Sequence, residues 1–179
     1  MKKLNEYVEN LDFDYAISYS GLRGEKFKAL EEINKAEIIK IKKEVFSARY
    51  MEKAKLKKQI EIIENEINVY NSRITNINGE FHKSCEAVHR FEKDDEDITA
   101  ILEILNHKFK ETVVALCVPI FRDSIVFYSK RNEINGVIQI CFGCNYMRDE
   151  NEATLEVDHK IYRMLKNKLI QLGHKIENV

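Results

Sequence analysis

Residues 124–144 read "SIVFYSKRNEINGVIQICFGC". Two apolar runs, 124–129 and 136–142, flank the polar segment "KRNEIN", the pattern of two strands joined by a tight turn. A turn near residues 131–133 makes facing positions sum to about 263 in an antiparallel pair. Cys117 then falls across from about residue 146, and Cys144 across from about residue 119. Cys117, Cys141 and Cys144 therefore gather at one end of the hairpin. A strand pair set between helical segments gives an α+β fold: a small antiparallel sheet with packed helices.

Working outward, "LDFDYAISYS" (residues 11–20) alternates strictly. Leu11, Phe13, Tyr15, Ile17 and Tyr19 share one side, and Asp12, Asp14, Ala16, Ser18 and Ser20 the other. Period two predicts a strand with one wet face, ended by Gly21 and Gly24. A short helix over 25–34 follows. "AEIIKIKKEVF" (36–46), rich in β-branched residues, then predicts a second strand. The acidic run 94–97 reads as the start of a helix, where negative charge is favoured. Ile98, Ile101, Leu102, Leu105 and Phe109 give that helix one apolar face. Residues 112–120, "TVVALCVPI", form a continuous apolar run in which Pro119 marks a break or an edge. The chain closes with a helix over 157–172. Ile161, Met164, Leu165, Leu169 and Leu172 lie on one side of it, and Gly173 is its C-cap.

The longest pattern lies between these parts. Leu56, Ile60, Ile63, Ile67, Tyr70, Ile74, Ile77, Phe81, Ser84, Val88 and Phe91 recur at steps of four and three, and only Ser84 is polar. One helix over 48–91 would be ~65 Å long at 1.5 Å per residue. The alternative is a helical hairpin folded near Asn78-Gly79. Either form is a coiled-coil-like insertion over 48–93 in a core made of 1–47 and 94–179. Either needs a partner for its seam, which makes Leu56, Ile60, Ile63, Ile67, Tyr70, Ile74, Ile77, Phe81 and Val88 the candidate partner-binding residues.

Composition narrows the function. The 179 residues are 44% apolar and 33% charged, enough for a core and for long solvated helix faces. With 29 basic and 30 acidic residues there is no net field for nucleic acid. No run approaches the ~20 apolar residues of a membrane span. The basic start, Met1-Lys2-Lys3, has no apolar stretch behind it. The expectation is a cytoplasmic protein with no membrane or nucleic-acid partner. Four cysteines are too few for a disulfide scaffold, and reduced thiols are the default.

Three groups of residues bear on chemistry. Cys117, Cys141 and Cys144 would supply three sulfur ligands to zinc, but there is no second CxxC and no histidine nearby in sequence. A redox or disulfide pair and simply buried thiols remain open beside the metal. A redox CxxC normally opens a helix, and this one closes a strand. On a helix, His82, Cys85 and His89 would share one stripe, best read as a polar flank beside a helical partner. Arg122-Asp123, a charged pair inside an apolar stretch, either binds a ligand or closes a strand end. His107, His159 and His174 read as surface residues. No Ser–His–Asp signature, nucleophile elbow, P-loop or dinucleotide fingerprint is present.

"CVPIFRDSIVFYSK" followed by "GVIQICFGCN" resembles the core of a group of small uncharacterised bacterial proteins. That core runs from a Cys-and-Pro segment through Arg-(His/Asp)-x-Ile-x-Phe-Tyr and a polar turn to Ile-Cys-Phe-x-Cys. "MLKNKLIQLGHKIE" is similar to the Leu-rich helix and Gly-Ile ending that follows in the group. The likeness spans about residues 97–176. It departs from the group's spacing between Cys117 and Arg122. It implies a hairpin-plus-helix core and no particular activity, and the heptad segment falls outside it as an insertion. The resulting expectation is a non-enzymatic interaction protein that binds a partner or a second copy through the heptad helix. A bacterial defence or toxin-neutralising accessory protein is one specific form of this. The alternative is a zinc- or thiol-dependent protein built on Cys117, Cys141 and Cys144.

Overall fold

The computed structural model describes residues 2–69, 73–75, 78–107 and 117–176. Among these lie seven strands and five helices. In chain order they are β1 (Lys2–Lys3), α1 (Leu4–Glu9), β2 (Tyr15–Ser20), α2 (Gly24–Ser47), α3 (Tyr50–Ile67), β3 (Glu86–Glu92) and α4 (Glu96–Leu105). β4 (Asp123–Tyr128), β5 (Ile134–Cys141), β6 (Tyr146–Arg148), β7 (Thr154–Glu156) and α5 (His159–Gln171) complete the order. One sheet runs β1-β7-β6-β5-β4-β2-β3. Every pairing is antiparallel except β1 with β7, so the small antiparallel sheet expected from the sequence is a larger, mixed one.

The hairpin β4–β5 forms in the expected register, with Asp123 facing Ile140 and Phe127 facing Gly136. Asn132 turns it at φ 63, a left-handed conformation that Asn tolerates. Its side-chain carbonyl accepts from the Tyr15 hydroxyl at 2.8 Å, which ties the turn to β2. Gly136 has a steric reason. A Cβ there would sit 2.4 Å from Leu11 Cδ2 and 2.8 Å from Tyr7 Oη, where the chain leaving α1 crosses β5.

The main core fills the face of the sheet covered by α1, α4 and α5. Ala16, Phe91, Ile125, Phe127, Ile138, Ile140 and Met147 meet Ile98, Ile101, Leu105, Ile161, Leu165 and Leu169 there. The acidic run does open α4, with Asp95 at the N-cap. Met164 departs from its expected side and is half exposed. The strand β2 presents its faces in the opposite sense to the sequence expectation. Ala16 and Ser18 are the fully buried ones, and Tyr15 with Ile17 and Tyr19 line a second, smaller cluster on the other side. Alternation fixes the period, but which face is covered depends on what packs there, and small side chains let the helices approach closely.

The helical segment differs most from expectation. Residues 36–46 belong to α2 rather than to a strand, because Phe27, Asn34, Ile38 and Ile41 bury one helical stripe at steps of seven, four and three. Packing against α3 overrides the β-branched preference. The chain reverses at Ala48-Arg49, both extended, and not near Gly79. α3 then returns along α2 and ends at Ile67. The long helix over 48–91 therefore does not form. Residues 86–92, expected to be helical, are the edge strand β3. Of the later seam positions, Ile74 is fully buried in the body and Phe81 bridges to Thr75. Tyr70 and Ile77 lie outside the described residues, as do Phe109 and most of 112–120.

No helix among the described residues is long and apolar enough to cross a membrane.

Candidate functional site

Two places carry unusual features: the end of the hairpin where the cysteines gather, and the paired helices α2 and α3.

At the hairpin end, α5 stops in a Schellman arrangement. Gly173, at φ 102, donates its N–H to the Ile170 carbonyl at 3.0 Å, and His174 donates its own to Leu169 at 3.0 Å. This turn carries His174 back over the sheet, so the residue expected at the surface is only 3% exposed. Its Nδ1 lies 2.7 Å from Asp123 Oδ1 and its Nε2 lies 2.9 Å from Ser18 Oγ. With Nδ1–H donated to Asp123, Nε2 accepts from the Ser18 hydroxyl. Arg23 forms an ion pair with the same Asp123 oxygen, and its Nε donates to Ser20 Oγ at 2.9 Å.

The order Ser–His–Asp matches a nucleophilic triad, but Ser18 is fully buried on β2, next to the edge strand β3. The network instead joins β2, β4 and the segment after α5 through mutually satisfied polar groups. Its members are far apart in sequence and match no local motif. The one signal was the isolated pair Arg122-Asp123. Asp123 forms its ion pair with Arg23 and its hydrogen bond with His174 rather than with the adjacent Arg122.

Cys117 and Cys144 are joined as a disulfide with their Cα atoms 6.1 Å apart, within the ordinary span of such bonds. The default of reduced thiols therefore fails for this pair. Cys141 is a free, buried thiol packed with Phe121 and Cys144. All three cysteines line one cavity of about 270 Å³, shared with Arg23, Arg122 and Asp123. The β4–β5 ladder begins at Asp123 and Ile140, so neither Cys117 nor Cys144 belongs to it, and residue 146 faces Cys141 on β6 rather than Cys117. A zinc site here needs the disulfide reduced. Among the described residues no group of three or more His, Cys, Asp or Glu side chains is arranged to hold a metal ion.

His82, Cys85 and His89 do not share a helical stripe. His82 and Cys85 lie in the loop before β3, and His89 is on β3 itself. His82 pairs through Nδ1 with Ser84 Oγ at 2.7 Å. Its Nε2 reaches the Glu66 carbonyl at 3.0 Å, one of the groups that the end of α3 leaves open. Burial pushes the Cys85 thiol up to about 12.

The expected partner-binding residues divide in two. Leu56, Ile60, Ile63 and Ile67 stay together on α3, half-buried along α2, and α3 has no fully buried residue. Ile74, Phe81 and Val88 are drawn into the body of the protein. What the sequence did not single out is the opposite side of the pair. Phe46, Tyr50 and Met51, around the reversal, are 92%, 87% and 75% exposed, and Ile62 stands outward on α3.

These features define a mixed α/β body that carries a two-helix arm. Comparison with protein-family models, with curated proteins and with solved structures finds no significant match to the chain.

Proposed function

We propose that this protein is a homotypic interaction module whose α2–α3 arm pairs with the arm of a second copy. One observation carries the proposal: α3, 18 residues long, buries none of them, while large apolar side chains stand exposed around the arm's tip. Isolated apolar residues are common on surfaces, but a group of them on one projecting element marks a contact.

The charges on α3 favour a second copy as the occupant. Exposed Lys55, Lys57 and Lys58 precede exposed Glu61 and Glu64. In a twofold antiparallel pairing with facing positions summing to about 119, Lys58 meets the partner's Glu61. Met51 and Ile62 lie on that same outward side and supply its apolar content. The arrangement is self-complementary, as an isologous interface requires. Sedimentation equilibrium at concentrations up to tens of micromolar tests this. A dimer supports it, and a strict monomer overturns it.

The cysteine trio supports a second function, a thiol-dependent protein, because a free thiol and a disulfide line the same cavity. Thiol titration with and without reductant, together with elemental analysis for zinc, separates a disulfide from a metal at that place.

A further inference from the structure

The cavity at the hairpin end holds a charge that nothing among the described residues answers. Two guanidinium groups line it. Arg23 is neutralised by Asp123, and Asp123 is the only carboxylate on the wall among the described residues. Arg122 is half-buried and, among the described residues, its side chain has no carboxylate or hydrogen-bond partner. Its backbone is fixed all the same: the Arg122 carbonyl accepts from the Gly21 N–H at 3.0 Å, and the next residue is held by the buried His174. The rest of the wall is largely apolar, with Ile120, Ile140, Phe142 and Ile176 contributing.

We infer that this cavity binds a small organic carboxylate. The guanidinium fork of Arg122 matches a planar carboxylate in a bidentate geometry, and a partly desolvated cation gains most from such a partner. The apolar walls take the body of the molecule, which follows the usual pattern of a concave apolar site with a few polar groups fixing orientation. A volume of about 270 Å³ equals about nine waters at ~30 Å³ each, which suits a molecule the size of benzoate. Asp123 does not repel the ligand, because Arg23 and His174 already occupy its charge. The buried network thus keeps Arg23 neutralised and leaves Arg122 as the one open cation on the wall among the described residues.

The test is an amide NMR titration of the oxidised full chain with benzoate. Benzylamine, with a similar body and the opposite charge, and acetate, with the charge and no body, are the comparisons. Benzoate is expected to saturate at millimolar concentration, with shifts grouped around Arg122, Cys141 and Phe142. Acetate is expected to bind at least tenfold more weakly, and benzylamine not at all. Arg122→Gln should lose at least tenfold in benzoate affinity and Arg122→Lys less, while Arg131→Gln, at the exposed hairpin turn, should bind as the parent does. Benzoate failing to saturate in the parent protein would overturn the inference without recourse to any variant. Equal binding of benzylamine, or unchanged affinity in Arg122→Gln, would overturn the role of the charge. Equal binding of acetate would overturn the role of the apolar wall.

Discussion

His174 and Asp123, 51 residues apart in sequence, meet at 2.7 Å in the interior, and the imidazole reaches on to Ser18. This contact holds the chain after α5 against β2 and β4. Replacing His174 by Ala removes both contacts and empties a buried site, leaving Asp123 with Arg23 alone and Ser18 with only a long, 3.5 Å contact to the His89 carbonyl, at a cost of about 2–4 kcal/mol. Ser18→Ala removes one end of the relay and should cost about 1 kcal/mol. Urea unfolding of the three proteins measures both. A cost for Ser18→Ala as large as that for His174→Ala would contradict the hierarchy.

Gly136 faces Leu11 and Tyr7 at distances that a methyl group cannot share. Tyr7 cannot simply move aside, since its hydroxyl accepts from the Val137 N–H at 2.9 Å and also binds the Glu150 carboxylate. Gly136→Ala should therefore destabilise by roughly 1–3 kcal/mol, as overpacking does. Unchanged stability would mean that α1 crosses β5 less closely.

Ser124 is fully buried with no partner for its hydroxyl, and the facing Gln139 has an unpartnered carbonyl oxygen. An orphaned polar group gives nothing to stability, so Ser124→Ala should be neutral or slightly stabilising, within about 1 kcal/mol. A marked loss of stability would point to a partner for that hydroxyl.

Cys85 and Cys141 are the free thiols, and burial holds the Cys85 thiol at about 12. At pH 8 neither should react quickly with a disulfide reagent in the native protein. Unfolding without reductant should release two thiols, and reduction should release four. The sign for stability follows from the raised value. The neutral thiol is favoured in the folded state, so the contribution is complete below about pH 8.5 and declines as the pH rises above it.

Glu66 ties the base of α3 to the body. Partial burial opposes its charge, but hydrogen bonds from Lys83 at 2.7 Å and Asn34 at 3.2 Å prevail and hold the carboxyl below its ordinary range. A lowered carboxylate contributes stability at neutral pH and loses it as the pH falls through the carboxylate range. Amide protection near the end of α3, taken relative to the intrinsic exchange rate at each pH, should therefore fall in acid, and Lys83→Ala should blunt that change.

Local patterns carried much of this architecture. The β4–β5 register, the start of α4 and the C-cap at Gly173 were all legible, because each depends on neighbouring residues. The partner of α3 was not. Ile38 and Ile41 look like strand residues until α3 packs on them, and heptad spacing alone does not tell whether Ile74 and Phe91 sit on a helix or in the body. The disposition of β2 and the Ser18–His174–Asp123 network depend on long-range packing that no local signal encodes. The pairing of Cys117 with Cys144 was not legible, because both lie beyond the β4–β5 ladder whose register the sequence encodes.

The central claim is that two arms meet antiparallel with Lys58 opposite the partner's Glu61. Charge reversal tests it most directly, by sedimentation of Lys58→Glu, Glu61→Lys and the double variant. Each single reversal places like charges together twice in a twofold dimer and should weaken association by roughly tenfold or less, given the modest strength of exposed ion pairs. The double variant exchanges both signs and should restore dimerisation to near the parent level. Single variants that dimerise unchanged, or a double variant no better than the singles, would contradict it.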